Sequence, residues 1–526
     1  MKKISLIIFS SLAAMWSTGI NAQTPGDLLK LSQYDYSLGT ARSAAMGGAF
    51  VSLGADLASI SINPAGLGMY RGSEVGISLS VLSTDVSSDY LNWKGNASKA
   101  KFAPSNPSNI GASFELYRGP GSLTSFSLGV GYNRKIDFST SSMAFGSGAA
   151  HSMTEYFSEK LRGLSESTLL GPESQPYLPF DNYGIDRWGA ILGYQTGIMS
   201  PVETGSTFYS PWGVLSQKAT INPVLRKLQE GSVGEYSLAG GFNFQNSFYF
   251  GLAVGIQDIY YKNENNYFES YVGNELTLLN MNYIQRLKMD GTGVNFKIGF
   301  VARPTDNLRI GLAVHTPTFI NINEEYVEYM SANYSGQAPN NYLDTPYSLN
   351  EYRIQTPTRL MAGLSYTFPG IGLISADYER VWYNGMRLRN MAGGNWSYET
   401  VIRDEVQELY KAANNFRIGV ELTPLSNLFV RAGYANYGDC QRSSDFIFSN
   451  QMNVRSYQNY SVGLGYRFKG NFYTDLTYVY TDYKYAPYDI FYYAEGSGSD
   501  LFELSSEIVQ PKATRHIVTL SLGLKF

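Results

Sequence analysis

Val518-Thr519-Leu520-Ser521-Leu522-Gly523-Leu524-Lys525-Phe526 ends the chain with an apolar residue at nearly every second position and small or polar residues between. Period-two alternation puts the two sets on opposite faces of an extended strand. The phrase recurs at 75–81 (VGISLSV), 296–300 (FKIGF), 308–314 (LRIGLAV) and 416–422 (FRIGVEL). In a soluble sandwich the polar face meets water and carries many Lys and Glu. Here the intervening positions are chiefly Gly and Ser with isolated Arg. Such strands suit a closed barrel, with lipid against the apolar face and a partly filled lumen inside.

The connections alternate between short and long, as the two ends of a membrane barrel do. Short turns rich in Gly, Pro, Asn or Asp lie at 119–121, 245–246, 303–307, 368–370, 423–427 and 469–471. Long, polar, Tyr-rich stretches lie near 89–106, 140–232, 262–281, 322–352, 386–414, 438–454 and 485–510. The expected strands are 74–88, 108–118, 122–138, 233–245, 247–261, 282–302, 307–321, 353–367, 372–385, 415–423, 427–437, 455–468, 471–484 and 512–526. That makes an all-β fold, a 14-stranded antiparallel transmembrane β-barrel spanning 73–526, with its long loops outside. The largest loop, 140–232, is too long to be featureless. Helical spacing of Met153, Phe157, Leu161 and Leu164 predicts a helix over 151–170, and 222–230 reads as another.

Composition agrees. The chain has 526 residues, of which 44 are acidic and 40 basic, giving a net charge of −4 and no sign of a nucleic-acid partner. Charged residues make only 16%, against roughly 25% in ordinary soluble domains. One Cys and three His leave no disulfide framework and argue against a metal site or other cofactor. No Gly-x-Ser-x-Gly elbow occurs and His151 and His315 lack motif partners, so no enzymatic activity is expected. Lys2 and Lys3, an apolar run over 4–16 and small residues before a cut after Ala22 read as a signal peptide, residues 1–22. The mature chain has no apolar run long enough for a spanning helix.

Residues 23–72 lack sheet periodicity yet are rich in Gly and Ala, which places them inside the barrel as a plug. By alternation Gly299, Gly311, Gly363, Gly419, Gly433, Gly463, Gly465 and Gly523 point inward, leaving room for another backbone. Lys297, Arg309, Arg417, Arg431, Arg467 and Arg515 share that inward phase, opposed by Asp377, Glu379, Glu421 and Asp475. Burial makes unpaired charge costly, so ion pairs across the lumen and to Asp35, Arg42 and Asp56 are expected. The sharper alternative is that one of these cations receives a substrate carboxylate.

Residues 40–51 (TARSAAMGGAFV), followed by Ala55-Asp56 and Asn63-Pro64-Ala65-Gly66-Leu67, resemble the amino-terminal hatch of the FadL/OmpP1/TodX outer-membrane transport family. Asn63-Pro64-Ala65 matches the family's NPA motif, and Met46-Gly47-Gly48-Ala49-Phe50 its preceding glycine-rich phrase. The resemblance implies a monomer in the outer membrane, among lipid and lipopolysaccharide, passing hydrophobic compounds such as long-chain fatty acids without an energy source. Capture by outer loops and release through a lateral opening at an inward bend of the third strand would follow. Here the candidate bend is at Gly129 and Gly131. The other reading is a non-transporting barrel that anchors or carries an exported protein partner.

Overall fold

The structure, a computed structural model, describes residues 24–526 apart from 98–100, 338–341, 391–395, 444–447, 450, 470 and 497–500. The expected signal peptide therefore lies outside the described residues. Fourteen antiparallel barrel strands follow one another around the wall. They are β1 (Glu74–Tyr90), β2 (Lys101–Arg118), β3 (Leu123–Asp137, continuing as Thr140–Phe145), β4 (Thr220–Phe244), β5 (Phe248–Val272), β6 (Leu278–Ala302) and β7 (Leu308–His315, continuing as Phe319–Tyr334). The other half comprises β8 (Ser348–Gln355 and Arg359–Phe368), β9 (Gly372–Trp382 and Arg387–Asn390), β10 (Ala412–Leu425), β11 (Leu428–Tyr437), β12 (Val454–Arg467), β13 (Phe472–Tyr485) and β14 (Gln510–Lys525).

Lipid supplies no hydrogen-bond partners, so a spanning sheet must leave no open edge. The register meets that demand. β1 pairs with β14 without a break from Glu74 opposite Lys525 to Asp89 opposite Gln510. The turns follow their residues. Gln245 and Asn246 both have positive φ and Ser247 N–H donates to Phe244 C=O at 3.1 Å, the primed turn that matches strand twist. Outward side chains form an apolar belt in which Val462, Leu464 and Phe296 are each more than half exposed.

Two expectations need correction. The stretch 222–230 is strand rather than helix, paired residue by residue from Thr220 opposite Val272 to Glu230 opposite Lys262. Its burial alternates through Ile221, Leu225 and Lys227, so the neighbouring strand decides the conformation, as tertiary context commonly does. For the same reason the outer connections after β3, β5 and β7 are shorter than expected, and β5 and β6 are joined by 273–277 alone. Residues 146–219 carry the helices, including α1 (Met153–Lys160) and α2 (Ile185–Gln195). Met153, Phe157 and Leu161 are buried as their spacing predicts.

The inward-pointing wall glycines meet residues 24–72. A Cβ on Gly251 would come within 2.2 Å of Pro64 C and Ala65 N, and one on Gly433 within 2.2 Å of Gly47 N. Gly299, Gly311, Gly363, Gly419 and Gly463 lie in the same way against Asn63, Val51, Met46 or Ala45. Gly465 and Gly523 instead give space to wall side chains, Asp475 with Arg431 and Tyr473. A Gly251→Leu variant is expected to keep the heat-modifiable gel mobility of a folded barrel while residues 24–72 become open to protease. Ala432→Leu, on the outward face, leaves the digestion pattern unchanged.

Candidate functional site

Residues 24–72 meet wall residues from the loop end of the barrel to its turn end. At the loop end Leu28 and Leu29 join an apolar cluster with Ile402 and Val406 of α3 (Trp396–Leu409), and Gln451 donates to Thr24. At the turn end Ser73 and Phe526 exchange backbone hydrogen bonds of 2.7 and 2.9 Å beside the seam between β1 and β14.

Between those ends Asn63 ties the segment to itself and to the wall. Its Oδ1 accepts from Ala65 N–H at 3.1 Å, capping the 3-10 helix Pro64–Met69. Its Nδ2 donates to Val51 C=O at 2.7 Å, and to Phe300 C=O of β6 and Leu312 C=O of β7 at 3.3 and 3.4 Å. Pro64 opens that helix where its missing N–H costs nothing. Gly66 C=O accepts from Ala55 N–H at 3.1 Å. Gly47 and Gly48 both adopt positive φ, 64° and 74°, which turns the chain against the backbone of Tyr434.

The lumen charges resolve into three buried knots, each a glutamate between two cations. Glu235 takes Lys135 at 3.2 Å and Lys297, with Asn295 Nδ2 at 3.0 Å. Glu379 takes Arg417 at 3.1 Å and Arg359 at 3.2 Å, with the Tyr36 hydroxyl at 2.9 Å. Glu421 takes Arg42 at 2.9 Å and Arg431 at 2.7 Å, and Arg431 also reaches Asp475. Pairing of this kind offsets the desolvation of each charge. Asp377 accepts from Val51 N–H at 2.9 Å.

Not every expected partner takes part. Asp35 accepts from Ser37 N–H, and Asp56 from Thr40 Oγ1 and Ala58 N–H, so both cap turns of their own segment and neither meets a wall cation. Arg309, half-buried, and Arg467, which stacks on Phe429 at 4.7 Å, form no ion pair with a described residue. Arg515 donates to Thr84 Oγ1 at 3.0 Å. Lys135 and Arg359 join these knots although the sequence reading did not single them out. Their inward phase was the available signal.

The third strand departs from its neighbour, though not at the two glycines singled out. Gly129 and Gly131 pair on both sides, with Ser113 and Gly111 of β2 and with Ala239 and Ser237 of β4. They make room for Ile60, 3.0 Å from a Cβ on Gly129. The ladder between β2 and β3 ends at Asn109 opposite Asn133, while β3 continues beside β4 with a register shift at Arg134–Ile136. From Arg134 to Phe138 every residue is buried, although a wall strand buries only alternate residues. Both faces are therefore covered. Lys135 C=O accepts from Asp35 N–H at 2.8 Å, and Ile136 and Phe138 join the apolar cluster of Leu28, Leu29 and Leu31.

Of the histidines, His315 Nε2 lies 2.9 Å from Ile62 C=O, His151 pairs with Glu155, and His516 faces outward beside Tyr478. Burial pushes the Cys440 thiol, in the loop after β11, up to about 12, which leaves it a poor nucleophile.

Replacing a wall cation is expected to cost more than replacing one from the segment. Arg431→Met leaves Glu421 and Asp475 short of a partner, a loss of about 3–5 kcal/mol. Arg42→Met leaves Glu421 still paired with Arg431. Thermal unfolding in detergent should therefore give a clearly lower midpoint for Arg431→Met than for Arg42→Met.

No family model matches the chain, and no curated protein matches it significantly. Among solved structures, a Pseudomonas aeruginosa FadL homologue aligns at a TM-score of 0.51 with 11% identity, covering 97% of this chain and 100% of that one. A deletion mutant of TodX, a monoaromatic hydrocarbon channel, aligns at 0.50 with 13% identity, covering 94% and 100%. The Pseudomonas putida toluene transporter TodX gives 0.49 and 14%, covering 94% and 99%. At such identities the likeness is one of architecture: the closed fourteen-stranded barrel here has the fold of the FadL-type transporters.

Proposed function

We propose that this chain sits in the outer membrane and passes hydrophobic compounds, long-chain fatty acids or monoaromatic hydrocarbons among them, passively through its wall. The departure of β3 from β2 beyond Asn133 is the observation that supports this reading most directly. It leaves the described ladder without a partner on one side at the height where Ile136, Phe138 and Leu28–Leu31 gather apolar surface. A solute in that cluster can enter lipid sideways. Moving apolar surface into water instead costs about 25 cal/mol per Å². The FadL homologue and the hydrocarbon channel that share the fold are consistent with such cargo.

In this reading residues 23–72 act as the hatch. Asn63, Pro64, Ala65 and Gly66 latch it to β5, β6 and β7, and Gly47 and Gly48 seat it against β11. Arg42, Lys297, Arg417 and Arg431 hold charge pairs around it. Arg309 and Arg467, towards the turn end, are the cations left for a passing carboxylate.

Uptake of labelled oleate and labelled toluene, compared between cells lacking the protein, cells carrying it and cells carrying Asn63→Ala, tests this. The protein is expected to raise uptake of at least one compound, and Asn63→Ala to change the rate several-fold at equal outer-membrane abundance. Equal uptake of both with and without the protein removes the reading.

A further inference from the structure

One part of the outer wall gathers three cations in adjacent register positions. Beyond the apolar belt, several outward cations are matched by carboxylates, Arg286 with Glu264 at 2.8 Å, Lys288 with Asp290 at 3.6 Å and Lys512 with Asp89 at 2.8 Å, while Arg226 and Lys484 stand singly without an ion pair to a described residue. Between β8 and β9 three unmatched arginines lie together. Arg353 stands directly opposite Arg389, and Gln355 opposite Arg387. Tyr352, Ile354 and Leu388 on the same strands are buried, so the three arginines occupy the outward face.

Side chains directly opposite in an antiparallel pair start roughly 4.5–5.5 Å apart at Cβ, and like charges there repel. Arg353 Nε donates to Asn321 Oδ1 at 2.8 Å, and none of the three arginines forms an ion pair with a described residue. Glu351, on the same face of β8, forms none either. The height is also informative. Phe319, opposite Gln355, is 51% exposed, and the outward residues after it on β7 are Asn321 and Asn323. The cluster thus begins where the lipid-facing surface becomes polar. Arg380, lower on β9, lies 5.8 Å from the Trp382 ring.

We propose that Arg353, Arg387 and Arg389 bind the phosphate of an outer-leaflet glycolipid. A phosphate carries the charge that two opposed guanidiniums need, and its oxygens match their forked N–H groups. The lipid's acyl chains then lie down the apolar belt from Phe319, which a free phosphate ion could not use. This inference rests on the outer-membrane reading above.

Native mass spectrometry of the detergent-purified protein tests it, with phosphorylated lipid A, dephosphorylated lipid A and inorganic phosphate as probes. Phosphorylated lipid A is expected to be retained by the wild type and weakened at least tenfold by Arg353→Gln/Arg389→Gln. Arg286→Gln, remote from the cluster, should bind as wild type does. Equal retention by the double variant, or equal binding of the dephosphorylated lipid, overturns the proposal. Displacement of the lipid by micromolar inorganic phosphate also overturns it, in favour of a free-anion site. Heat-modifiable mobility establishes that the variants are folded, and Arg389→Gln alone, at an exposed position, replaces the double variant if that one is not. Membrane fractionation of the wild type checks the location separately: absence from the outer membrane sinks that reading, whereas indifference of the variants sinks only the lipid site.

Discussion

The unbroken ladder from Glu74–Lys525 to Asp89–Gln510 joins the first strand to the last and closes the sheet, so that neither of them is left as an open edge. The rest follows from closure. A closed sheet separates an outer face, which must be apolar, from an inner face of limited width. Whatever fills that width competes with wall side chains for the same space.

The competition is settled by glycine and by charge. Where residues 24–72 come close, the wall gives up side chains, at Gly251 for Pro64 and Ala65 and at Gly433 for Gly47. Where the wall keeps long polar side chains, their charges are shared among Glu235, Glu379 and Glu421. Backbone contact and ion pairing thus divide the lumen between them, and β3 adds a third element, a stretch covered on both faces at Arg134–Phe138.

What could be read in the residues follows the same physics. The apolar outer belt forces strict alternation, so strands such as β14 and the core of β6 were legible, as was the inward phase of the glycines. Beyond the belt that constraint lapses. Lys262-Asn263-Glu264-Asn265-Asn266 is polar on both faces and still continues β5, so periodicity could not reveal the strand extensions. The departure of β3 was equally hidden, because Arg134, Lys135 and Asp137 place charges on both phases. Asn63 was visible as part of a motif. Its hydrogen bonds to Phe300 and Leu312 were not, since nothing local ties residues that far apart.

The ownership of the lumen cations has a mechanical consequence. In the three glutamate knots Lys135, Lys297, Arg359, Arg417 and Arg431 belong to the wall, and Arg42 comes from the amino-terminal segment. If the segment slides, each buried glutamate keeps at least one counter-ion from the strands. The five wall cations of the three knots then face the four wall carboxylates Glu235, Glu379, Glu421 and Asp475 beside bare glycine backbone. Movement is resisted mainly by neutral hydrogen bonds and close packing, a restraint that thermal fluctuation can loosen piecemeal.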